Sequence, residues 1–213
     1  DFNFTPASFV PFKDRELCEK LRKISGTDLE KHANPEFNIK VMMNPHPVLI
    51  ATLFSRIKEA SEKGKKITLI LGNPEPDTYI PLAQLINYFK VDCRNVHLFA
   101  MDEWADDQGN VAPLSYKAGF GNAFYRYMVS NILDLGFKEE NFIYHSNETT
   151  PKFSKMLEDD GEADIVYSGP GWPGHLAFID PVEDWYKPTM EEYLEQPAKV
   201  AALHPLTIAQ NSL

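Results

Sequence analysis

Two loops in this 213-residue sequence carry the residue types that proton chemistry needs. "MDEW" holds Asp102 and Glu103, and "GPGWPGHLAFIDP", Gly169 to Pro181, holds His175 with a carboxylate, Asp180, five residues further on. An imidazole titrates close to neutral pH and can both take and return a proton. The two adjacent acids follow an apolar run, "NVHLFA", and the end of a sheet half-buries such a carboxylate and shifts its pKa. Plainer uses compete for the same residues: acids after a strand cap the next helix, and a histidine in a Gly/Pro-rich loop is often a hydrogen-bonded structural residue. Gly169, Gly171 and Gly174 let backbone amides approach a small ligand, although their spacing is offset from the dinucleotide fingerprint. Asp102, Asp106, Asp107 and Gly109 do not reproduce the alternating ligands of an EF-hand calcium loop.

The elements around these loops alternate in type. Residues 1–36 read as an irregular arm followed by one helix in "KDRELCEKLRKI", and "FNIKVMM", Phe37 to Met43, reads as a short strand. Leu49, Ile50, Leu53, Phe54 and Ile57 recur at helical spacing up to Gly64. "KITLILG" is a continuous apolar strand ending in Gly72. A helix is predicted over Tyr79 to Phe89, a strand in "NVHLFAMDEW" that ends in two carboxylates, a longer helix over Ser115 to Leu133, and a strand in "FIYHS". A helix over Phe153 to Glu158 and the strand "ADIVYSG" follow. This order predicts an α/β domain over residues 37–213, built on an open, mainly parallel sheet with helices on both faces. In such sheets ligands bind beyond the carboxyl ends of the strands. Three loops therefore converge on one edge: "GNPEPDTY", offering Gly72, Asn73 and Thr78 as ligand contacts, "MDEWADDQGN", and the stretch after Ser168. Asp102 and His175 are expected to face one cavity there.

Composition narrows the partners. The 21 basic against 31 acidic residues give a formal charge of −10, and no basic run offers a groove for nucleic acid. No apolar run approaches a membrane span and no charged-then-apolar leader is present. Cys18 and Cys93 lie far apart and lack metal-ligand spacing, so neither a disulfide framework nor a zinc knuckle is suggested, and a reducing cytoplasm fits best; no metal and no cofactor are expected. The last residues, Asn211-Ser212-Leu213, carry no natural end signal, and the chain is expected to be incomplete at its C-terminus.

Taken together, "MDEW" (101–104), "LSY" (114–116) and "GPGWPGHLAFIDP" (169–181) resemble the glucosamine-6-phosphate deaminase/isomerase family, whose patterns run MDEY, a Ser-Tyr pair and GVGNDGHIAFNEP. Order and spacing agree over roughly residues 37–213. The 6-phosphogluconolactonases of the same superfamily lack the Ala-Phe-Asn-Glu-Pro continuation. The resemblance implies a Rossmann-like sheet, a sugar or sugar phosphate as ligand, and often a homo-oligomer. It also implies roles: Asp102 as the carboxylate that moves a proton between the first two sugar carbons, His175 as the ring-opening residue, Asp180 as the acid that orients it, and Glu103 in support. Besides Asp180, which stands where the family has a Glu, four positions depart from the family. Pro173 replaces an Asp two residues before the histidine; Glu75 and Asp77 stand in the phosphate loop; Leu213 stands where an arginine would bind phosphate. The leading expectation is an isomerase/deaminase-like enzyme for an amino sugar or sugar phosphate. A sugar-lactone hydrolase and a catalytically degenerate sugar-binding protein are the alternatives.

Overall fold

Five apolar or β-branched residues in a row, ITLIL, become the central strand β1 (Ile67–Leu71). A strand covered on both faces needs no polar alternation. β2 (Val96–Ala100) and β4 (Ile165–Tyr167) flank β1, and β3 (Phe142–Ile143) lies outside β2, giving the order β3-β2-β1-β4 with every pair parallel. The computed structural model describes residues 14–180 and 188–212, and its contacts divide the chain into two units, residues 1–45 and 46–213.

In the first unit, α1 (Arg15–Leu21) starts where Asp14 Oδ1 accepts the Leu17 N–H at 2.9 Å, and the single turn α2 (Gly26–Leu29) starts at Ser25 in the same way. Part of the expected arm, residues 1–13, lies outside the described residues. The strand expected at Phe37–Met43 does not form. A strand requires a ladder partner, and here the Val41 amide is instead taken by Glu30 Oε1 at 3.1 Å.

The second unit holds the sheet. α3 (His46–Glu62) buries Leu53 and Ile57, one turn apart, and the chain leaves it through Gly64 at φ +61°. α4 (Pro76–Tyr88) begins three residues before the periodic stretch because Pro76, with its φ already fixed, occupies the first turn. Leu69, Leu71, Leu98 and Ala100 share one core with residues of α3, α4 and α5 (Phe120–Tyr127). The alternate positions, Ile70, Phe99 and Ile143, pack with Phe153, Met156 and Leu157 of α6 (Phe153–Asp160). The period-two alternation of a strand thus sends successive residues to two helical layers, which is the expected α/β architecture.

One expected helix is shorter than its pattern. Instead of Ser115–Leu133, α5 spans Phe120–Tyr127 and is followed by 3₁₀ turns at Val129–Asn131 and Leu133–Leu135. Gly119 and Gly121 weaken its start. At its end, the Ser130 hydroxyl and the Asn131 amide both donate to the Arg126 carbonyl, competing with the helical ladder. Two short helices complete the described residues, α7 (Met190–Leu194) and α8 (Pro205–Asn211). Among those residues no helix is long and apolar enough to cross a membrane.

Candidate active site

From β1 the chain moves outward to β2 and β3, then returns to the far side of β1 as β4. In sheets whose strand order reverses in this way, ligands bind beyond the carboxyl ends of the strands. Gly72 closes β1 by donating its amide to the Tyr167 carbonyl of β4 at 2.8 Å. A Cβ there would meet Met101 Sδ and the Tyr167 carbonyl at 3.3 Å and Asp102 Oδ2 at 3.6 Å, so the backbone passes beneath the carboxylate with no side chain between. Asn73 follows at φ +49°, and a Cβ on Gly169 would lie 2.8 Å from its Nδ2. The three predicted loops therefore touch at the strand ends.

Asp102 sits on the wall of a cavity of about 1000 Å³ together with Met101, Trp104, His145, Phe178 and Ile208. Among the described residues no donor hydrogen-bonds its carboxylate. Burial, with the neighbouring Glu103 charge adding to it, pushes the pKa up from 3.8 to about 7. A carboxylate without donors in a half-dry site is a stronger base than one in water.

Glu103 points elsewhere. Its Oε1 accepts from Trp104 N (2.9 Å) and Phe120 N (3.1 Å), and its Oε2 from Gly121 N (2.8 Å). It caps α5 from a distance of 17 residues in sequence, placing negative charge at a helix N-terminus. Cβ atoms on Gly119 and Gly121 would come within 3.0 and 3.2 Å of Glu103 Oε2, so these glycines leave the carboxylate its place.

His175 is 7% exposed and Asp180 is fully buried. His175 Nδ1 lies 2.6 Å from Asp180 Oδ1 and 3.0 Å from Thr207 Oγ1. The Thr207 hydroxyl donates to Asp180 Oδ1 at 2.7 Å, and the His204 amide donates to Asp180 Oδ2 at 2.6 Å. His175 Nε2 has no hydrogen-bond partner among the described residues, and no side-chain nitrogen or oxygen there is buried without one; Nε2 therefore reaches solvent. The ring lies directly against Gly171, where a Cβ would collide with Nε2 and Cε1 and stand 2.9 Å from Cδ2. Trp172 N donates to Gln210 Oε1 at 2.8 Å, tying the glycine-rich loop to α8.

Past His175 the backbone takes two consecutive left-handed residues, Ala177 (φ 52°) and Phe178 (φ 55°). Each costs about 1–2 kcal/mol for a residue with a side chain. Packing offsets the strain: Phe178 stacks on Phe120 at 5.7 Å, meets Trp104 at 5.4 Å and lies 5.0 Å from the His175 ring. This turn puts Phe178 on the cavity wall, and His175, expected there beside Asp102, is not part of that wall.

Thr78, expected to contact ligand, is buried in α4 with its Oγ1 2.7 Å from His46 Nδ1. Gly174, at φ +89°, borders a second cavity of about 410 Å³ with Leu176, Ile179 and Tyr193. Pro173 is buried, while Leu213 and Pro181 lie outside the described residues. His145, two residues past β3, was not singled out from the sequence, although its position just beyond a strand end follows the rule that found Asp102. Its Nε2 donates to the Met101 carbonyl at 3.1 Å and its Nδ1 accepts from Thr150 Oγ1 at 3.2 Å. Burial lowers its pKa, with the Met101 carbonyl acting in the opposite direction. Among the described residues no group of three or more His, Cys, Asp or Glu is arranged to hold a metal ion.

No family model matches the chain. Two curated relatives do, both named glucosamine-6-phosphate deaminase. The one from Caenorhabditis elegans is 28% identical over 131 residues, covering 60% of this chain and 48% of the relative. The one from Staphylococcus saprophyticus is 26% identical over 130 residues, covering 60% and 52%. The chain thus spans about half the length of the curated relatives it matches. A solved structure of a monomeric glucosamine-6-phosphate deaminase, described as a missing link of the NagB superfamily, shares the fold with a TM-score of 0.57 at 17% identity, over 75% of this chain and 63% of that one. With the motifs in register and a shared fold beneath them, this chain is similar to the glucosamine-6-phosphate deaminases as a divergent relative.

Proposed function

We propose that the protein acts on an amino sugar or sugar phosphate and moves a proton between C1 and C2 of the open-chain form. The carrying observation is Asp102: a carboxylate without hydrogen-bond donors among the described residues, on a cavity wall, with a pKa raised by burial to about 7. As a carboxylate it takes the C2 proton; the C2–H electron pair forms a C1=C2 bond and the carbonyl pair moves onto the C1 oxygen, giving an enolate. Return of the proton at C1, together with transfer of a proton from the C2 oxygen or nitrogen to the C1 oxygen, completes the isomerisation. A base that titrates near neutrality suits both directions, because its conjugate acid is strong enough to give the proton back. His175 would exchange the ring-oxygen proton through Nε2, the nitrogen that its Asp180 contact leaves free.

The test is exchange of the C2 hydrogen with solvent deuterium, followed by NMR on glucosamine 6-phosphate and on glucosamine. The wild type should exchange one of them, and Asp102→Asn should lose that exchange while retaining binding. Exchange that persists in Asp102→Asn would assign the base elsewhere.

A binding-only role is the second reading, favoured by Pro173. It fills a buried position where the family has an Asp, and it can neither accept nor donate a proton. On that reading the wild type shifts in thermal stability with a sugar but exchanges no hydrogen.

A further inference from the structure

We infer that His145 is a positioning residue: by donating its Nε2 hydrogen to the Met101 carbonyl it fixes the peptide plane that carries Asp102 and so aims that carboxylate into the cavity. The starting point is a backbone group that the sheet leaves over. The β2–β3 ladder ends at the pair Phe99↔Ile143, and the Met101 carbonyl lies two residues beyond it. On the β1 side the Met101 amide is still paired, donating to the Leu71 carbonyl at 2.9 Å. On the β3 side the donor is a side chain, His145 Nε2 at 3.1 Å. Only this second contact belongs to the peptide joining Met101 to Asp102. Among the described residues no acceptor takes the Asp102 amide, so the His145 bond is what holds that plane against rotation.

The imidazole is itself held firmly enough for the task. A carbonyl only accepts, so Nε2 carries the ring hydrogen and Nδ1 is bare. Thr150 Oγ1 then donates to Nδ1 at 3.2 Å, and Phe153 stacks on the ring at 4.0 Å with the planes 18° apart. Burial, which lowers the pKa of His145, keeps this neutral arrangement in place at neutral pH. His145 and Asp102 lie on the wall of the same cavity. An apolar side chain of similar size could pack on Phe153 equally well but would leave the Met101 carbonyl without its donor. That difference separates positioning from packing. A base displaced by about 1 Å loses on the order of a hundredfold in rate, so the catalytic consequence rests on the proton-transfer reading above; the placement of the carboxylate does not.

The experiment uses the full chain with 13C-carboxyl-labelled aspartate, the Asp102 signal being assigned from its loss in Asp102→Asn. Wild type should show Asp102 titrating near pH 7, and so should His145→Gln, whose amide nitrogen reaches the place of Nε2. His145→Phe keeps a ring against Phe153 and removes the donor. In that variant Asp102 should titrate roughly one pH unit lower or more, because a carboxylate released from its donor-free position meets water or amide hydrogens that favour its charged form. Glu103, the charged neighbour of Asp102, stays held by the α5 amides and is common to all the proteins compared. Should the phenylalanine variant fail to fold, His145→Leu is read in the same way. In parallel, the hydrogen exchange assay should show kcat falling about tenfold to a hundredfold in the phenylalanine variant with KM unchanged, restored by glutamine. An Asp102 titration that is unaltered in the phenylalanine or leucine variant overturns the inference. A glutamine variant that titrates like the phenylalanine one overturns it too, since the donor would then not be what counts. A lowered titration restored by glutamine, in a protein whose wild type exchanges no hydrogen, sustains the positioning role and defeats the proton-transfer reading instead.

Discussion

Asp102 offers a prediction that needs no substrate. Raising a carboxyl group from 3.8 to about 7 means that the folded state disfavours its charged form, by about 4 kcal/mol once the pH exceeds both values. The sign follows from proton binding. Between pH 4 and pH 7 the folded protein holds a proton on Asp102 that the unfolded chain has released, so stability falls as pH rises through this window. At pH 5 only about 1.5 kcal/mol of the penalty is present, and at pH 8 all of it. Asp102→Asn removes the charge and, because no described donor hydrogen-bonds the carboxylate, breaks no protein hydrogen bond there. Whatever the amide itself costs is the same at both pH values and cancels in the difference. The substitution should therefore stabilise the protein by about 2–3 kcal/mol more at pH 8 than at pH 5, a relative gain in Tm of roughly 4–12 °C for a chain of this size. Thermal unfolding of both proteins at the two pH values is the assay. A stability difference between wild type and Asp102→Asn that does not change with pH would refute the half-dry, donor-free carboxylate on which the functional proposal stands.

Glu103→Gln retains one acceptor for the α5 amides but turns an NH₂ group toward the others, and urea unfolding should show a loss of about 1–3 kcal/mol at neutral pH. Gly171→Ala places a methyl group into the His175 ring; it should cost about 1–3 kcal/mol and displace the imidazole, seen as a changed His175 ring chemical shift. An unchanged shift would show that the loop accommodates a side chain there. Ligand charge is open to calorimetry. Pro74 and Pro76 contribute no amide hydrogens after β1, and Glu75 lies with its Oε2 3.5 Å from His46 Nδ1, so an anion meets repulsion where the family has a phosphate loop. Titration should show glucosamine binding more tightly than its 6-phosphate, and the reverse order would restore ordinary phosphate recognition at this loop.

Local pattern alone carried a large part of this molecule. The runs ITLIL and VHLFA are mostly apolar or β-branched and lack the strict polar alternation of a half-exposed strand, and because a strand buried on both faces needs that composition, they point to a covered parallel sheet before any contact is known. The ends of those runs then place Gly72 and Asp102 at the carboxyl edge, since a residue one or two steps past a strand must emerge there. The Gly-Pro-Gly stretch before His175 likewise announces a close backbone approach, and the collision that a Cβ on Gly171 would make with the ring is its physical content. Phe37–Met43 fails by the same logic: alternation describes a strand's faces but cannot supply the neighbouring strand that its amides require.

What tertiary structure alone decided lies in contacts between residues far apart in sequence. The order β3-β2-β1-β4 depends on which strand ends find each other, and no local window records it. Glu103 stands beside Asp102 and has the same chemistry, yet one carboxylate is saturated by amides of α5 while the other meets none. Their different roles come from a helix that starts 17 residues away, with glycines at 119 and 121 making room. Thr207 and His204 carry no signal of their own in the sequence. They matter only because α8 folds back 27 and 24 residues after Asp180 and presents a hydroxyl and an amide to a buried carboxylate, whose unmet hydrogen-bonding capacity could be satisfied only by groups the fold delivers.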